Sequence, residues 1–435
     1  MINVDVLVVG FGKAGKTIAM KRAAAGDKVA VVEQSPEMYG GTCINVGCVP
    51  TKRLLVEAER GTAFPQARDG RNAFIARLNA ANKAMVEGKG ALVIDGRATF
   101  IGPKRVRVTG GDDELVVEAG TVIINTGSAP ALIEGSDLPG VYDSTAIQQL
   151  DDAPGRLVIV GAGPIAMEFA TMFAEFGSRV TMLNRSASFG GQFEPEVAEA
   201  VRQRLEDLGV SVVNDAPAAK IVEGPAVVAG GREYGADAVL VAVGRRPATE
   251  GLGLEEVGIG LTERGAVAVD EHCRTSVEGV YAAGDVNGGP QFTYISFDDH
   301  RVILDDRWGS AERSTAGRVV PTTTFTHPPV ATVGMTEHRA RAAGHNVEVR
   351  MEKIENIAVA PRPKILGVPH GVAKFVLDAD SGLILGANLF CTDSQELINL
   401  VALAIQEDIP AKRVGGMILT HPSTSEIFNA LLSEG

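Results

Sequence analysis

A chain of 435 residues is a prior for roughly three domains at about 150 residues each, and enough chain to bury several cores, which excludes a small stapled scaffold. Hydrophobic residues at 45% and charged residues at 22% exclude a disordered chain. The formal net charge of −13, with no basic run, excludes a phosphate-backbone partner, so no nucleic acid is expected.

Residues 4–9 read as a β-branched strand, which contains Asp5 and runs into Gly10 and Gly12. They lack the basic flank, length and cleavage site of a signal peptide. No apolar run nears the ~18 residues of a membrane span, and four cysteines are too few for an extracellular disulfide framework. The expectation is a cytoplasmic protein with no membrane partner. After the strand come Gly10-Phe11-Gly12-Lys13-Ala14-Gly15, a helical stretch to about Ala25 and a second strand at 29–32. Glycines in such a loop let the backbone approach a pyrophosphate at the helix N-terminus. Glu33, 23 residues after Gly10, stands where a carboxylate binds ribose hydroxyls. One such loop is weak evidence, because any tight strand-to-helix turn favours Gly.

The segment Gly40-Gly41-Thr42-Cys43-Ile44-Asn45-Val46-Gly47-Cys48-Val49-Pro50-Thr51-Lys52 follows. Residues five apart in an ideal helix have Cα atoms roughly 8 to 9 Å apart, whereas a disulfide requires less than about 7 Å. Bridging Cys43 and Cys48 therefore demands local distortion, which Gly47 permits, and a strained bridge is easily reduced. The alternative is a pair of buried free thiols.

Residues 91–119 alternate apolar and polar, with turn signals at Gly96, Gly102 and Gly110, and predict a small antiparallel insert. Residues 122–125 read as a buried parallel strand. The opening unit then repeats, as a strand at 156–160, the turn Gly161-Ala162-Gly163-Pro164-Ile165-Ala166, a helix at 167–176 and a strand at 180–183, with Gly161 standing 151 residues after Gly10. Two copies in matched context are far stronger than one and predict two βαβ nucleotide folds. The position equivalent to Glu33 is Asn184, followed by Arg185; without the carboxylate a 2′-phosphate would be tolerated. The alternative is a surface Arg with no ligand. A return strand at 238–243 ends in Gly244-Arg245-Arg246-Pro247.

Cys273 and Cys391 read as packing residues. His300 beside Asp298 and Asp299 reads as a solvated charged helix face, with metal binding the alternative. From about Val319 the pattern changes to separated strands and hairpins, a turn at 378–382 and a helix at about 394–407, a separate α+β domain. Ser423-x-x-Glu426 ahead of Ile427-Phe428 is a capping box.

Gly41-Thr42-Cys43, four residues, then Cys48-Val49-Pro50-Thr51-Lys52 resembles the active-site segment of the class I pyridine nucleotide-disulfide oxidoreductases. Ile124-Asn125-Thr126-Gly127 resembles their second FAD contact, and Val280-Tyr281-Ala282-Ala283-Gly284-Asp285 the segment whose Asp holds the flavin ribityl chain. Residues 326–337 resemble the opening of their dimerisation domain, and His421-Pro422-Ser423-Thr424-Ser425-Glu426 their C-terminal catalytic motif. The resemblance implies an α/β fold with two Rossmann-like dinucleotide-binding domains and a C-terminal α+β dimerisation domain. It divides the chain into residues 1–146, binding FAD and holding the redox disulfide; 147–269, binding NAD(P); 270–316, returning to the central domain; and 317–435. It implies that Cys48 is the charge-transfer thiolate and Cys43 the exchange thiol. His421 of the partner subunit would be the acid and base, oriented by Glu426, with Lys52 and Glu168 an ion pair beside the flavin. FAD contacts would come from Gly10, Gly12, Gly15, Glu33, Gly41, Thr42, Thr126, Gly127 and Asp285. Contacts to NADPH, with NADH possible, would come from Gly161, Gly163, Asn184, Arg185 and Gly244.

Departures narrow the choice. Pro164 replaces a larger gating residue, and the chain ends Leu432-Ser433-Glu434-Gly435 without a thiol pair or an N-terminal metal-binding extension, which disfavours mercuric reductase. No resident metal is expected. Gly10 to Thr17, Glu33-Gln34-Ser35 with Met38-Tyr39-Gly40-Gly41, residues 140–145 and Gln291-Phe292-Thr293-Tyr294-Ile295-Ser296 resemble the reactive-chlorine-resistance flavoproteins. That subgroup implies a small oxidant, hypothiocyanous acid or copper(II), in oxidative-stress defence. The runner-up is a reductase of a low-molecular-weight disulfide of glutathione or mycothione type, or a dihydrolipoamide dehydrogenase; a non-catalytic flavoprotein subunit is more remote. A glutathione reductase needs several placed cations, and beyond Lys13 and Lys16, read as facing the pyrophosphate, the sequence offers none.

Overall fold

The computed structural model describes residues 1–110, 113–217 and 220–433. The first unit runs β1 (Ile2–Val9), α1 (Lys13–Ala24), β2 (Val29–Glu33), α2 (Thr42–Asn45), α3 (Cys48–Glu59), α4 (Phe64–Glu87), β3 (Leu92–Asp95), β4 (Arg97–Gly102), β5 (Arg105–Gly110) and β6 (Asp113–Ile124). β1 pairs in parallel with β2 and β6. Its last four residues are all buried because alternate side chains enter two different cores, Val6 and Val8 one and Leu7 and Val9 the other.

The insert departs from the alternation that predicts it. β4 and β5 are antiparallel, but β3 runs parallel to β2, from Ala30 opposite Leu92 to Glu33 opposite Asp95. Residues 122–124 end the continuous strand β6, which pairs antiparallel with β5 over residues 113–118 and parallel with β1 over residues 117–124. Alternation records which face is buried; it does not record the direction of the partner.

The second unit contains β7 (Ser128–Pro130), β8 (Val141–Tyr142), β9 (Arg156–Val160), α5 (Pro164–Glu175), β10 (Arg179–Leu183), α6 (Pro195–Asp207) and β11 (Ser211–Val213). A three-stranded hairpin sheet follows, of β12 (Lys220–Val222), β13 (Ala226–Ala229) and β14 (Arg232–Gly235), then β15 (Ala238–Val241) and β16 (Arg245–Pro247). Its main sheet is parallel, in the order β11-β10-β9-β15-β8. Both glycine turns meet the same constraint. Gly10 at φ +96° and Gly161 at φ +126° each lie against the chain end of a neighbouring strand, where a Cβ would come within 2.5 Å of the Asn125 carbonyl oxygen or 2.3 Å of that of Ala242. Only glycine fits such a turn.

The chain then returns to the first sheet. β17 (Val280–Ala282) joins β6 in parallel, and α7 (Thr293–Trp308) packs against α1 through Val302, Ile303 and Ile18. That packing overturns the expectation of a solvated face at 298–300. Asp299 and His300 are buried. Asp299 accepts the Gly284 N–H at 2.8 Å and pairs with Arg318 at 2.8 Å, and His300 Nδ1 sits against the Phe297 carbonyl. Burial, with Lys21 and other cations nearby, pushes His300 down to about 4, so the ring is neutral. Among the described residues no group of three or more His, Cys, Asp and Glu side chains is placed to hold a metal. Cys273 and Cys391 are both buried, in line with packing roles.

The C-terminal unit is an antiparallel sheet, in the order β18 (Thr322–Thr324), β19 (Val330–Gly334), β22 (Ile384–Phe390), β21 (Val372–Asp378) and β20 (Val347–Lys353). The helix Ser394–Gln406 covers it through Leu397, Ile398 and Val401. Glu434 and Gly435 lie outside the described residues. Among the described residues no helix is long and apolar enough to cross a membrane.

A buried lysine couples this unit to the second. Lys374 Nζ on β21 lies 3.0 Å from Glu194, 2.9 Å from Glu196 and 3.0 Å from Glu337, the first two at the start of α6. These carboxylates hold the ammonium protonated against its burial. Lys374→Ala would leave Glu194 buried without a counter-charge, and is expected to lower stability by about 3 kcal/mol, read as a fall in the urea midpoint; an unchanged midpoint would show that Lys374 is not the coupling group.

Candidate active site

Gly47 breaks the helix between the two cysteines. Its backbone, at φ −108° and ψ −109°, separates α2 from α3, and its N–H turns back to the Thr42 carbonyl at 2.7 Å. Cys43 in α2 and Cys48, the first residue of α3, are thereby brought within hydrogen-bonding reach as free thiols, Cys43 half-buried and Cys48 exposed. With Cys48 exposed, two buried thiols do not describe this pair.

The two thiols differ. Cys48 is pushed down to about 6, first by the hydrogen bond from the Cys43 thiol and then, against its own desolvation, by the Lys52 ammonium. Cys43 is pushed well above the ordinary range by the same hydrogen bond and by burial. Thr293, the first residue of α7, places its hydroxyl 3.7 Å from Cys48 Sγ. The helix N-terminus that Cys48 occupies also favours an anion. Lys52 Nζ lies 2.7 and 2.8 Å from the Glu168 carboxylate oxygens and 4.7 Å over the Phe325 ring, and Glu168 also accepts the Phe325 N–H at 3.0 Å.

The remaining residues of the first unit converge at the carboxyl ends of β1, β6 and β17. A Cβ on Gly12 or Gly15 would lie 2.4 or 3.0 Å from Asn125 Oδ1, and one on Gly41 would lie 2.8 Å from Gly12 Cα. Thr42 Oγ1 faces Gly127. Thr126 Oγ1 donates to the Ala248 carbonyl at 2.8 Å, and Ser128 donates to Asp285 at 2.6 Å. Glu33 is buried at the end of β2, where its carboxylate accepts the N–H groups of Phe11 at 3.0 Å and Ser35 at 3.2 Å; burial raises its pKa. Glycine backbone packed this closely at the start of α1, beside a buried carboxylate, fits a dinucleotide site.

In the second unit a Cβ on Gly163 or Gly244 would meet open space. Asn184 does not face outward. Its amide donates to the Ser186 and Ser188 carbonyls at 3.1 and 3.0 Å and to Asn214 at 2.9 Å, so it shapes the loop whose tip exposes Arg185. Lys13 and Lys16 also part company. Lys16 is buried, bonded to Asn82, while Lys13 stays half-exposed 4.7 Å over the Phe297 ring, which Arg301 also meets at 4.7 Å.

Residues 4–299 match the pyridine nucleotide-disulphide oxidoreductase family, and residues 320–432 match its dimerisation domain. The chain belongs to this family. It is similar to the probable pyridine nucleotide-disulfide oxidoreductase RclA of Escherichia coli, at 40% identity over 100% of this chain and 99% of that one. It is also similar to the dihydrolipoyl dehydrogenase of Geobacillus stearothermophilus, at 32% identity over 98% and 95%. Among solved structures, the Cu(II) complex of HOCl-induced flavoprotein disulfide reductase RclA from Escherichia coli superposes with a TM-score of 0.96 at 39% identity, covering 99% of both chains. The oxidoreductase is thus a flavin-dependent enzyme of two nucleotide-binding units and a dimerisation domain, using FAD and NAD(P)H.

In this oxidoreductase the dimerisation domain carries an outward-facing dyad. His421 is 67% exposed, with Nδ1 2.9 Å from Glu426 Oε1, while Glu426 Oε2 accepts the Ser423 N–H at 2.9 Å. That N–H, and then His421, hold the Glu426 carboxyl below its ordinary value. The capping box and the His–Glu contact therefore coexist on one carboxylate. Among the described residues no hydrogen bond or ion pair joins His421 to the cysteine segment.

Thr293 and Arg245 reach this site without having been singled out for it, while Lys16, read in sequence as facing the pyrophosphate, is turned to Asn82. Arg245 donates to the Ser128 carbonyl at 2.7 Å and is half-buried near Asp285. Thr293 lies 245 residues from Cys48, and its one sequence signal is the 291–296 resemblance.

The reduced pair carries a negative charge on Cys48 above pH 6 and loses it as the pH falls through that value. Thiolate absorbance at 240 nm should titrate there, and Lys52→Met should raise the midpoint by about one unit by removing the adjacent cation. A midpoint that ignores Lys52 would refute this electrostatic account.

Proposed function

We propose that the enzyme passes electrons from NADPH to a small oxidant, hypothiocyanous acid or copper(II), through the Cys43–Cys48 pair. The observation that carries this reading is the asymmetry of the two thiols, an acidic Cys48 held by Lys52 and Thr293 and a Cys43 that keeps its proton. FAD, when bound, supplies the two-electron relay between the nicotinamide and the thiols; Gly10, Gly12, Gly15, Glu33, Gly41, Thr42, Thr126, Gly127 and Asp285 would hold it. Gly161, Gly163, Gly244 and Arg185 would hold NADPH, with Asn184 shaping the loop, and NADH remains a slower donor. The division at 1–146, 147–269, 270–316 and 317–435, and a cytoplasmic setting, belong to this reading.

Cys43 gives its proton to His421 of the partner subunit and attacks the sulfur of hypothiocyanous acid, displacing hydroxide, which leaves as water with that proton. Cys48 then displaces thiocyanate from the mixed Cys43 adduct, closing the disulfide, which NADPH reopens with two electrons. With copper, two Cu(II) ions each take one electron from the thiolate pair. Glu426 holds the imidazole in place throughout. The RclA similarity supports this choice, since that protein is an HOCl-induced disulfide reductase seen with Cu(II).

A second reading rests on one observation. Lys13 and Arg301, both against Phe297 on the helices that start beside the cysteines, are the placed cations a carboxylate-bearing disulfide would use.

Two-electron reduction should give a long-wavelength thiolate-to-flavin absorbance that Cys43→Ser keeps and Cys48→Ser loses; the reverse pattern would exchange the two roles. With NADPH as donor, hypothiocyanous acid or copper(II) should turn over at least about tenfold faster than glutathione disulfide, roughly 1.4 kcal/mol in transition-state stabilisation. Equal turnover of the disulfide would select the second reading.

A further inference from the structure

Lys16 occupies the first turn of α1 and is 5% exposed. Its Nζ donates to Asn82 Oδ1 on α4, and Asn82, itself buried, anchors its own Nδ2 to the Leu78 carbonyl at 2.7 Å, which aims its oxygen at the ammonium. Asn82 also packs against the cysteine segment, where a Cβ on Gly40 would lie 3.1 Å from Asn82 Cγ and 2.9 Å from the tip of Ile44. The start of α1 is pressed onto the same segment through Gly12 and Gly41. The ammonium is therefore fixed beside residues 40–45.

A buried ammonium needs an anion or it loses its proton. Among the described residues no carboxylate lies within 4 Å of Lys16 Nζ, and its hydrogen-bond partner is a neutral amide. Burial and Lys13 push Lys16 down to about 8, and a charge on Cys43 works in the opposite direction. The groups acting on Cys43 are Cys48 and Lys16, with Thr293 as a hydrogen-bond partner; those acting on Lys16 are Lys13 and Cys43. The rest of the support for this segment is uncharged, Asn79 holding Asn45 at 3.1 Å and Asn45 holding the Tyr39 and Gly41 carbonyls at 3.1 and 2.9 Å.

We propose that Lys16 is a positioning residue for the oxidant-facing thiol, a buried ammonium oriented by Asn82 that stabilises the thiolate of Cys43 when its proton leaves for exchange. The role complements that of Lys52. One lysine serves each sulfur, Lys52 the Cys48 thiol at rest and Lys16 the Cys43 thiol at the moment of attack. The exchange part of this inference rests on the reading of Cys43 as the exchange thiol.

The test uses the FAD-loaded enzyme in a Cys48→Ser background and follows the pH profile of Cys43 alkylation by iodoacetamide. Lys16→Met should raise the midpoint by about one pH unit, and Asn82→Asp, which hands the ammonium a carboxylate, should do the same; Lys16→Arg should restore most of the shift, with flavin content unchanged throughout. A midpoint unmoved in both variants, or loss of flavin from Lys16→Met, overturns the proposal, the latter by making the ammonium a cofactor contact. With both cysteines present, Lys16→Met should slow reoxidation of the reduced enzyme by hypothiocyanous acid about tenfold at pH 7 and leave its reduction by NADPH unchanged. A shifted midpoint with undiminished reoxidation overturns the exchange role of Cys43 while leaving the Lys16 contact standing.

Discussion

Three distant stretches of chain meet on the carboxylate of Glu168. From α5 in the second unit it takes both contacts of Lys52 on α3 and the Phe325 N–H at the start of the C-terminal sheet, while the Phe325 ring lies under the same ammonium. Lys52 is partly exposed, so solvent screens the pair and its worth as stability is modest. Its worth as placement is larger. The cation that joins the three units also acts on Cys48, so one contact serves the assembly of the domains and adds to the acidity that the Cys43 hydrogen bond mainly confers.

The cysteine segment shows how little regular structure such chemistry requires. α2 has four residues and would not form alone; it is held by Gly41 against Gly12, by the inward amide of Asn45 and by the Gly47 turn-back to Thr42. The result is two neighbouring sulfurs with different surroundings. Cys48 begins a 12-residue helix beside Lys52 and Thr293, whereas Cys43 sits deeper with Lys16 as its nearby cation. A pair whose sites differ titrates in two separated steps rather than as two equal thiols.

On the reading proposed here, one chain by itself would hold only part of what the chemistry needs. His421 and Glu426 form their contact on the outside of the dimerisation domain, and a dyad so exposed has every partner it needs except a substrate. Supplying it from a second copy would make turnover depend on assembly, which suits the proposed chemistry, in which the thiols would face a bound flavin on one side and a diffusing oxidant on the other.

Much of this was legible in sequence because it is local. Both glycine turns, the five-residue spacing of Cys43 and Cys48 with Gly47 between them, and the Ser423-to-Glu426 box are contiguous, and the backbone conformations they require follow from residue type. The direction of β3, the burial of Asp299 and His300, the inward turn of Asn184, the arrival of Thr293 at Cys48 and that of Lys16 at Asn82 were decided only in three dimensions. A charged or amide side chain carries no record of whether its partner is water or a buried group a hundred residues away. The sequence determined which chemistry the chain can perform, and the tertiary structure decided which charge stands beside which sulfur, because electrostatic coupling depends on distance and burial rather than on order along the chain.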